Sequence, residues 1–242
     1  MHVHSIGSGH AYSTITEILR EAADKGLQLV AVTDHGPAMP DGPHPYYFGN
    51  QRVWPAEMFG VKLLKGVEAN IIDETGRLDL SKYYLERMDI VLAGFHAACY
   101  PVADREKYTG AMVNAIKNPY VDVIVHPGNP SYPVDYERVI QAAVEHGVAV
   151  EINNSSLCGS RAGSAGNCAQ VARLLAETGA LVTVGSDAHI ACDVGVFDYA
   201  LELLLEAGMQ EAQIVNISLE RLHEYLSGRR KARGEWRVQR GE

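Results

Sequence analysis

Nine histidine, glutamate and aspartate residues stand at the ends of short apolar runs. They are His2 and His4 in MHVH, His10 just after it, His35 in AVTDH, Glu68 in GVEAN, His96 in AGFH, His126 in VIVHP, and Asp187 and His189 in VGSDAH. His2 and His4 are two apart, so on a strand both imidazoles point to the same face. Imidazole and carboxylate groups without thiolates are ligands for zinc, manganese, iron or cobalt.

The number of these candidate ligands predicts a metal cluster. Nine groups exceed the four that one tetrahedral ion needs, and with one bridging carboxylate they can serve three divalent ions at three or four protein ligands each. Such sites keep open positions for water or substrate, which is typical of catalytic metal sites. The remaining histidines, His44, His146 and His223, lie in a loop or on helices and are interpreted as surface residues.

The elements that must position these ligands are alternating strands and helices. The predicted strands are Leu27–Thr33, Val61–Glu68, Asp89–Phe95, Val121–Val125, Val148–Ile152 and Leu181–Gly185, with HVHS as a seventh. Continuous apolar strands alternating with helices indicate parallel strands covered by helices. Seven such units without a glycine-rich dinucleotide motif favour a TIM-like α/β barrel over a doubly wound sheet. The carboxyl ends of barrel strands share one rim, where active sites are built.

Helix signals lie between the strands. Thr14 and Glu17 form a predicted capping box for a helix that ends at Gly26. Three more helices are predicted over Asp135–His146, Asn167–Thr178 and Ser218–Ser227. The long connection Gly36–Pro55 holds five of the ten prolines and several aromatic residues. It has no clear periodic element, and its aromatic content predicts a packed lid.

Composition limits the remaining possibilities. The 242 residues predict a single barrel domain over 1–228, followed by a basic tail over 229–242 with six basic and two acidic residues. The net charge of −9 makes the body a poor partner for long nucleic acids. No apolar run is long enough to cross a membrane. Four dispersed cysteines and the lack of a secretory signal predict a cytoplasmic protein. The tail is interpreted as a solvated terminus, with contact to an anion or a second subunit as the alternative; no sequence feature predicts an oligomeric state.

The segments HVHS…GHAYST, TDHGP, GVEAN, AGFH, HPGNP, EINNSS and GSDAH resemble the PHP (polymerase and histidinol phosphatase) family, most closely its YcdX-type phosphatases. The resemblance runs nearly end to end. It implies a distorted seven-stranded (β/α)7 TIM-like barrel with three metal ions, usually zinc. By resemblance, one ion is held by His2, His4, Glu68 and Asp187. A second shares Glu68 and adds His96 and His126, and the third is held by His10, His35 and His189.

The chain departs from the family pattern at its start. The usual Asp-Leu-His-x-His-Thr is replaced by Met1 directly before His2, with Ser5 in place of the threonine. A barrel strand needs about five residues. The departure therefore predicts either a start upstream of Met1 or a frayed first strand, and it bears on the occupancy of the first metal.

The chemistry predicted for such a cluster is hydrolysis of phosphate monoesters. Ions that share Glu68 lower the pKa of water, and the resulting hydroxide attacks phosphorus in line while the third ion offsets negative charge. Asp187 is the second predicted catalytic carboxylate, together with Glu68. Arg52 and Arg161 are candidates for binding phosphate through paired hydrogen bonds. The alternative is that both are surface residues. Asn153 either orients substrate or histidines, or satisfies loop backbone. No nucleophilic serine or cysteine motif is present.

Other functions stay open at this stage. The small phosphorylated substrate could be a short phosphodiester or nucleoside bisphosphate, which would make the protein a phosphodiesterase or exonuclease. Histidinol phosphate is a possible substrate by family name, although no residue is predicted to recognise its amine or imidazole. A metal-binding regulatory or storage protein is the alternative outside enzymology.

Overall fold

Six parallel strands and one short antiparallel strand form the sheet of the computed structural model, which describes residues 1–234. The strands are β1 (Leu29–Val32), β2 (Glu57–Met58), β3 (Val61–Asn70), β4 (Ile90–Gly94), β5 (Val123–Ile124), β6 (Ala149–Asn153) and β7 (Val182–Gly185). The order is β1-β3-β4-β5-β6-β7, with every neighbouring pair parallel, while β2 pairs antiparallel with the start of β3. Each of the six predicted internal strands is therefore confirmed within two residues at either end.

Nine α-helices connect the strands in the described part of the chain. They are α1 (Ile15–Asp24), α2 (Pro45–Asn50), α3 (Lys82–Leu85), α4 (Arg105–Ile116), α5 (Tyr136–His146), α6 (Ser155–Cys158), α7 (Ser164–Thr178), α8 (Asp198–Glu206) and α9 (Leu219–Ala232). The predicted capping box of α1 is present, because the Thr14 side chain accepts from the Glu17 backbone and the Glu17 carboxylate accepts from Thr14. Helix α5 ends at Gly147 as predicted, and α7 begins three residues earlier than predicted.

The amino-terminal segment closes the sheet into a distorted barrel. Val3 forms a single parallel bridge with Ala188, just past β7, and its carbonyl accepts a hydrogen bond from the Thr33 backbone at 2.8 Å, just past β1. His4 N–H donates to the Ala188 carbonyl at 2.8 Å. HVHS does not form a full strand, because only this one β-bridge forms. Of the two alternatives predicted from its departure from the family pattern, this arrangement fits a frayed first strand. The ladder nevertheless joins both edges of the sheet and fixes the positions of His2 and His4.

Alternate residues of the strands pack on two sides. In β4, Val91 and Ala93 contact the layer of helices, whereas Ile90 and Leu92 belong to an inner cluster. Leu222 of α9 is part of that inner cluster, so the last helix packs against the inner face of the barrel. All of these side chains are buried. Burying both faces is what continuous apolar strands require in a parallel sheet.

Helix α9 runs through the predicted domain boundary at residue 228 into the basic tail. Arg229 and Arg233 lie against the buried carboxylate of Asp122, and the Arg233 side chain is 4% exposed. Arg229 also donates to the backbone carbonyl of Val121 at 2.5 Å. The expectation of a solvated terminus is therefore wrong for the beginning of the tail. The rest of it, residues 235–242, lies outside the described residues.

The segment 36–55 is packed, and it contains structure that its sequence did not predict. Helix α2 and a turn of 3-10 helix over Gln51–Val53 occupy its second half. Phe48 is fully buried, and the Tyr47 hydroxyl donates to Asp34. The described residues include no helix with the length and apolarity needed to span a lipid bilayer.

Candidate metal centre

The nine predicted ligands meet at the carboxyl ends of the strands. Glu68 lies in β3, His96 follows β4, His126 follows β5, and Asp187 and His189 follow β7. The closing amino-terminal segment adds His2 and His4. Seven of the nine are buried, while His189 is partly buried and His10 is exposed. Residues from distant parts of the sequence therefore share one rim, as the barrel geometry predicts.

Four donor atoms form a compact first group. Five distances among His2 Nε2, His4 Nε2, Glu68 Oε2 and Asp187 Oδ1 lie between 3.0 and 3.6 Å. Tetrahedral zinc with bonds of about 2.0–2.1 Å places its ligand atoms about 3.3 Å apart. The spacing of the His2, His4 and Glu68 donors therefore suits one divalent ion. Asp187 Oδ1 lies next to both imidazole nitrogens, so the four residues predicted for the first metal are neighbours.

The outer partners of His2 and His4 determine which nitrogen faces the group. His2 Nδ1 donates to Glu151 Oε1 at 2.8 Å. His4 Nδ1 donates to Ser8 Oγ at 3.0 Å, because the Ser8 hydroxyl proton is itself given to Asp34 at 2.7 Å. Both Nε2 lone pairs then face each other 3.0 Å apart. Two acceptors at that distance require a cation between them, either a metal ion or a proton.

Proton affinities in the first group follow from this arrangement. Burial lowers the pKa of His4, but contacts with Asp187 and Glu68 outweigh it and raise the pKa to about 9. Burial opposes ionisation of Glu68 and Asp187, yet their neighbours hold both carboxyl pKa values well below the usual range: chiefly His96 and His2 for Glu68, and His2 and Arg161 for Asp187. The site therefore holds fixed negative charge that favours a bound cation.

Glu68 joins the first group to a second one. Its other oxygen, Oε1, lies 2.9 Å from His96 Nε2 and 2.8 Å from His126 Nε2, and these nitrogens are 3.3 Å apart. His96 Nδ1 donates to the Asn70 side-chain oxygen at 2.7 Å, which turns Nε2 toward Glu68. The two oxygens of one carboxylate thus face two separate sets of imidazoles, as a bridging ligand must.

The third predicted group contains His10, His35 and His189. His10 Nε2 and His189 Nε2 are 3.2 Å apart, but His35 turns Nδ1 toward Glu68 Oε2 at 2.9 Å. Among the described residues, the donor atoms of His35 also lie close to those of His4 and His189 and to those of Glu68 and His96. His35 Nδ1 and Glu68 Oε2 are buried without a hydrogen-bond partner in residues 1–234, which fits metal ligands.

The backbone also adapts to this cluster. His126 and Asp187 have positive φ values of 36° and 54°, a conformation that costs a non-glycine residue about 1–3 kcal/mol and collects at functional sites. Gly185 must remain a glycine, because a Cβ there would overlap the Glu151 carboxylate. The positions of these ligands at the rim are therefore accompanied by backbone strain.

Comparisons with known proteins agree with this geometry. The family model described as PHP domain matches residues 1–225. The chain belongs to the PHP domain family. It is 55% identical over 234 residues to a protein of Caldanaerobacter subterraneus subsp. tengcongensis named "Probable phosphatase", which covers 96% of this chain and 92% of that one. A protein of the same description from Acetivibrio thermocellus is 48% identical, with 95% of each chain covered.

The fold is shared with a solved structure of much lower sequence similarity. The crystal structure of histidinol phosphate phosphatase from Lactococcus lactis, complexed with zinc, L-histidinol and phosphate, superposes with a TM-score of 0.61 at 17% identity. The match covers 86% of this chain and 93% of that one. At this identity the likeness establishes the distorted PHP barrel and nothing finer.

One of the two arginines that were candidates for binding phosphate lies at the rim of the barrel. Arg161 Nη1 donates to Asp187 Oδ2 at 2.9 Å, and the side chain lines a cavity of about 530 Å³ above the cluster. Arg52 is exposed on the turn after α2 and does not line this cavity. Within the segment 36–55, Met39 is the one residue that lines this cavity. The structure therefore gives no support to Arg52 as a substrate-binding residue.

Asn153 forms hydrogen bonds with residues in and next to the cluster. Its amide nitrogen donates to Glu151 at 3.0 Å and to Asp187 at 3.2 Å, and its oxygen accepts from the Ser156 backbone at 2.9 Å. Of the two interpretations of this residue, the structure favours the orientation of ligands. Asp34, in contrast, contacts no predicted ligand side chain and accepts from Ser5 and Ser8 instead.

Two supporting residues were missed in the sequence. Glu151 is buried in β6, where it accepts from His2, the His126 backbone and Asn153. Its spacing of two from Asn153 within a predicted buried strand was a usable signal, because the two residues must share a face. Ser8 lies in the loop after His4, and no spacing rule marks it as a partner of an imidazole.

Proposed function

We propose that this PHP protein is a metal-dependent phosphatase that hydrolyses small phosphate monoesters with water, using three divalent ions, most typically zinc. The observation that carries the proposal is the position of Glu68, whose two oxygens contact two different groups of imidazoles below an open cavity. The names of the relatives from Caldanaerobacter and Acetivibrio support the same activity.

The donor set indicates which residues would hold the ions. His2, His4 and Asp187 would hold one, and His96 with His126 a second, with Glu68 shared between them. The remaining histidines, His10, His35 and His189, would complete a third. Bound ions would supply Lewis-acid polarisation of the phosphoryl group and acidify water.

The residues of the chain provide binding and orientation. Arg161 uses Nη1 for Asp187, and its Nη2 and Nε bond to no other described residue. These free donors can form charge-assisted bonds to phosphate oxygens. Asp187 fixes the guanidinium, and Asn153 in turn fixes Asp187. The phosphate would then meet a donor that is already held in place before charge develops.

The proposal is tested by removing the metal and by removing a ligand. Chelator-treated protein and His126→Ala are expected to lose turnover of p-nitrophenyl phosphate, and zinc, manganese or cobalt should restore activity to the treated wild type. His223→Ala, an exposed histidine on α9, is the matched control and should stay active. Full turnover by protein shown by elemental analysis to be free of metal would refute the proposal. A preference for bis(p-nitrophenyl) phosphate would instead support a phosphodiesterase.

We also propose a reducing, cytoplasmic location. All four cysteines are free thiols in the structure, which suits a compartment in which thiols stay reduced. A protein that needed oxidised thiols for stability would contradict this, and unfolding with and without reductant is the measurement.

A further inference from the structure

The cavity above the metal centre has a second wall that the phosphatase chemistry does not use. This wall is formed by Asn129, Ser131 and Tyr132 on the loop after β5 and by Ser155 at the start of α6. None of the Ser131, Tyr132 and Ser155 hydroxyls bonds to another residue within 1–234. The Asn129 side-chain oxygen accepts from the Ser131 backbone at 3.0 Å, and its amide nitrogen has no described partner. Four polar groups are therefore free to bind a ligand.

Tyr132 is held rigidly within this wall. Its ring stacks on Phe95 with centroids 5.4 Å apart and an interplanar angle of 28°, and Tyr108 packs against it edge-on at 5.4 Å. Phe95 and Tyr108 are buried. A phenol fixed by two aromatic neighbours offers a positioned hydroxyl at little cost in side-chain entropy.

Besides the proposed metal ions, the described wall of the cavity offers one cationic side chain for phosphate. Arg161 is the one lysine or arginine among the described lining residues, and it already neutralises part of Asp187. Asp193 is exposed and also lines the cavity, and its carboxylate forms no ion pair within the described chain. A second phosphate on the substrate that reached Asp193 would meet a like charge, and such contacts are unfavourable.

We infer that the substrate is a sugar monophosphate, whose hydroxyls are bound by Tyr132, Ser131, Asn129 and Ser155, and that Asp193 discriminates against bisphosphates. The inference rests on the proposed phosphatase function and names its substrate class. The phosphate lies over the metal centre next to Arg161, and the uncharged, hydroxyl-rich remainder occupies the second wall. Pockets of this volume commonly hold small ligands through a few placed polar groups.

The test compares kcat/KM for hexose and pentose monophosphates, hexose bisphosphates, adenosine 5′-monophosphate and p-nitrophenyl phosphate. The best sugar monophosphate is expected to exceed both its bisphosphate and the nucleotide about tenfold or more. Tyr132→Phe removes one hydroxyl and should lower the ratio of sugar phosphate to p-nitrophenyl phosphate turnover about three- to tenfold. Asp193→Asn should raise the ratio of bisphosphate to monophosphate turnover about threefold. Tyr199→Phe, an exposed tyrosine on α8, is the matched control.

The outcomes separate the two proposals. If p-nitrophenyl phosphate and every other monoester are left intact by the metal-loaded protein, the phosphatase function itself is wrong. If p-nitrophenyl phosphate is hydrolysed but the nucleotide or a bisphosphate is preferred, only the sugar monophosphate assignment is wrong. The same holds if Tyr132→Phe, folded and with wild-type metal content, keeps the wild-type ratio.

Discussion

Replacing Glu151 with glutamine tests whether the residues behind the cluster hold its ligands in place. The Glu151 carboxylate accepts three buried hydrogen bonds, from His2 Nδ1 at 2.8 Å, the His126 backbone at 3.1 Å and Asn153 Nδ2 at 3.0 Å. A glutamine keeps one acceptor oxygen. In one orientation its amide nitrogen faces the His126 and Asn153 donors. In the other it faces His2 and favours the tautomer that places a proton on the metal-facing Nε2.

The size of the effect follows from these contacts. Each buried donor left without an acceptor costs about 1–3 kcal/mol, so Glu151→Gln should lower the free energy of unfolding of the metal-free protein by at least about 1 kcal/mol. Loss of an outer partner of a metal-bound histidine typically lowers metal affinity about 10- to 100-fold. Zinc affinity of the variant should fall within that range.

The assay is zinc titration against a competing chelator, combined with urea unfolding of the metal-free protein. Glu202→Gln, on the exposed face of α8, is the matched control and should change neither quantity. A Glu151→Gln protein that binds zinc as tightly as the wild type would refute the argument that Glu151 orients His2.

Three further predictions concern binding, protonation and stability. Arg161→Ala should lower kcat/KM for phosphate monoesters about 100-fold, because a positioned donor to the phosphate is lost, whereas Arg52→Ala should change it less than about twofold; equal losses in steady-state assays would contradict this placement. Zinc affinity should increase with pH up to about 9, about tenfold per unit for each proton released, because the raised pKa of His4 keeps it protonated below that value; a flat affinity above about pH 7 in chelator competition would be the opposite result. Arg233→Gln should lower the free energy of unfolding by about 3 kcal/mol, because it leaves Asp122 buried without its nearest cation; urea melts that match the wild type would show that the pair does not matter.

The convergence of the ligands could be predicted because it depends on topology. His96, His126 and Asp187 each follow a recognisable apolar strand, and the carboxyl ends of parallel strands share a rim whatever the loops do. The prediction required no knowledge of individual contacts. The two-residue spacing of His2 and His4 placed their side chains together, although they lie on a closing segment with a single β-bridge rather than on a full strand.

The supporting residues were harder to predict because they depend on contacts distant in sequence. The extension of α9 is stabilised where Arg229 and Arg233 meet Asp122, more than 100 residues away in sequence. The two candidate arginines, Arg52 and Arg161, have the same chemistry in sequence, and only the path of each loop determines which one reaches the cavity. Glu151 was the exception, since its alternation with Asn153 in a buried strand was visible beforehand.

Anomalous diffraction at the zinc absorption edge, from crystals of the zinc-loaded protein, tests the central claim most directly. We predict three neighbouring peaks at the rim. One should lie within coordinating distance of His2, His4 and Asp187, and another next to His96 and His126, with Glu68 between these two. Peaks confined to the protein surface, or a zinc-saturated crystal with no peak next to Glu68, would contradict it.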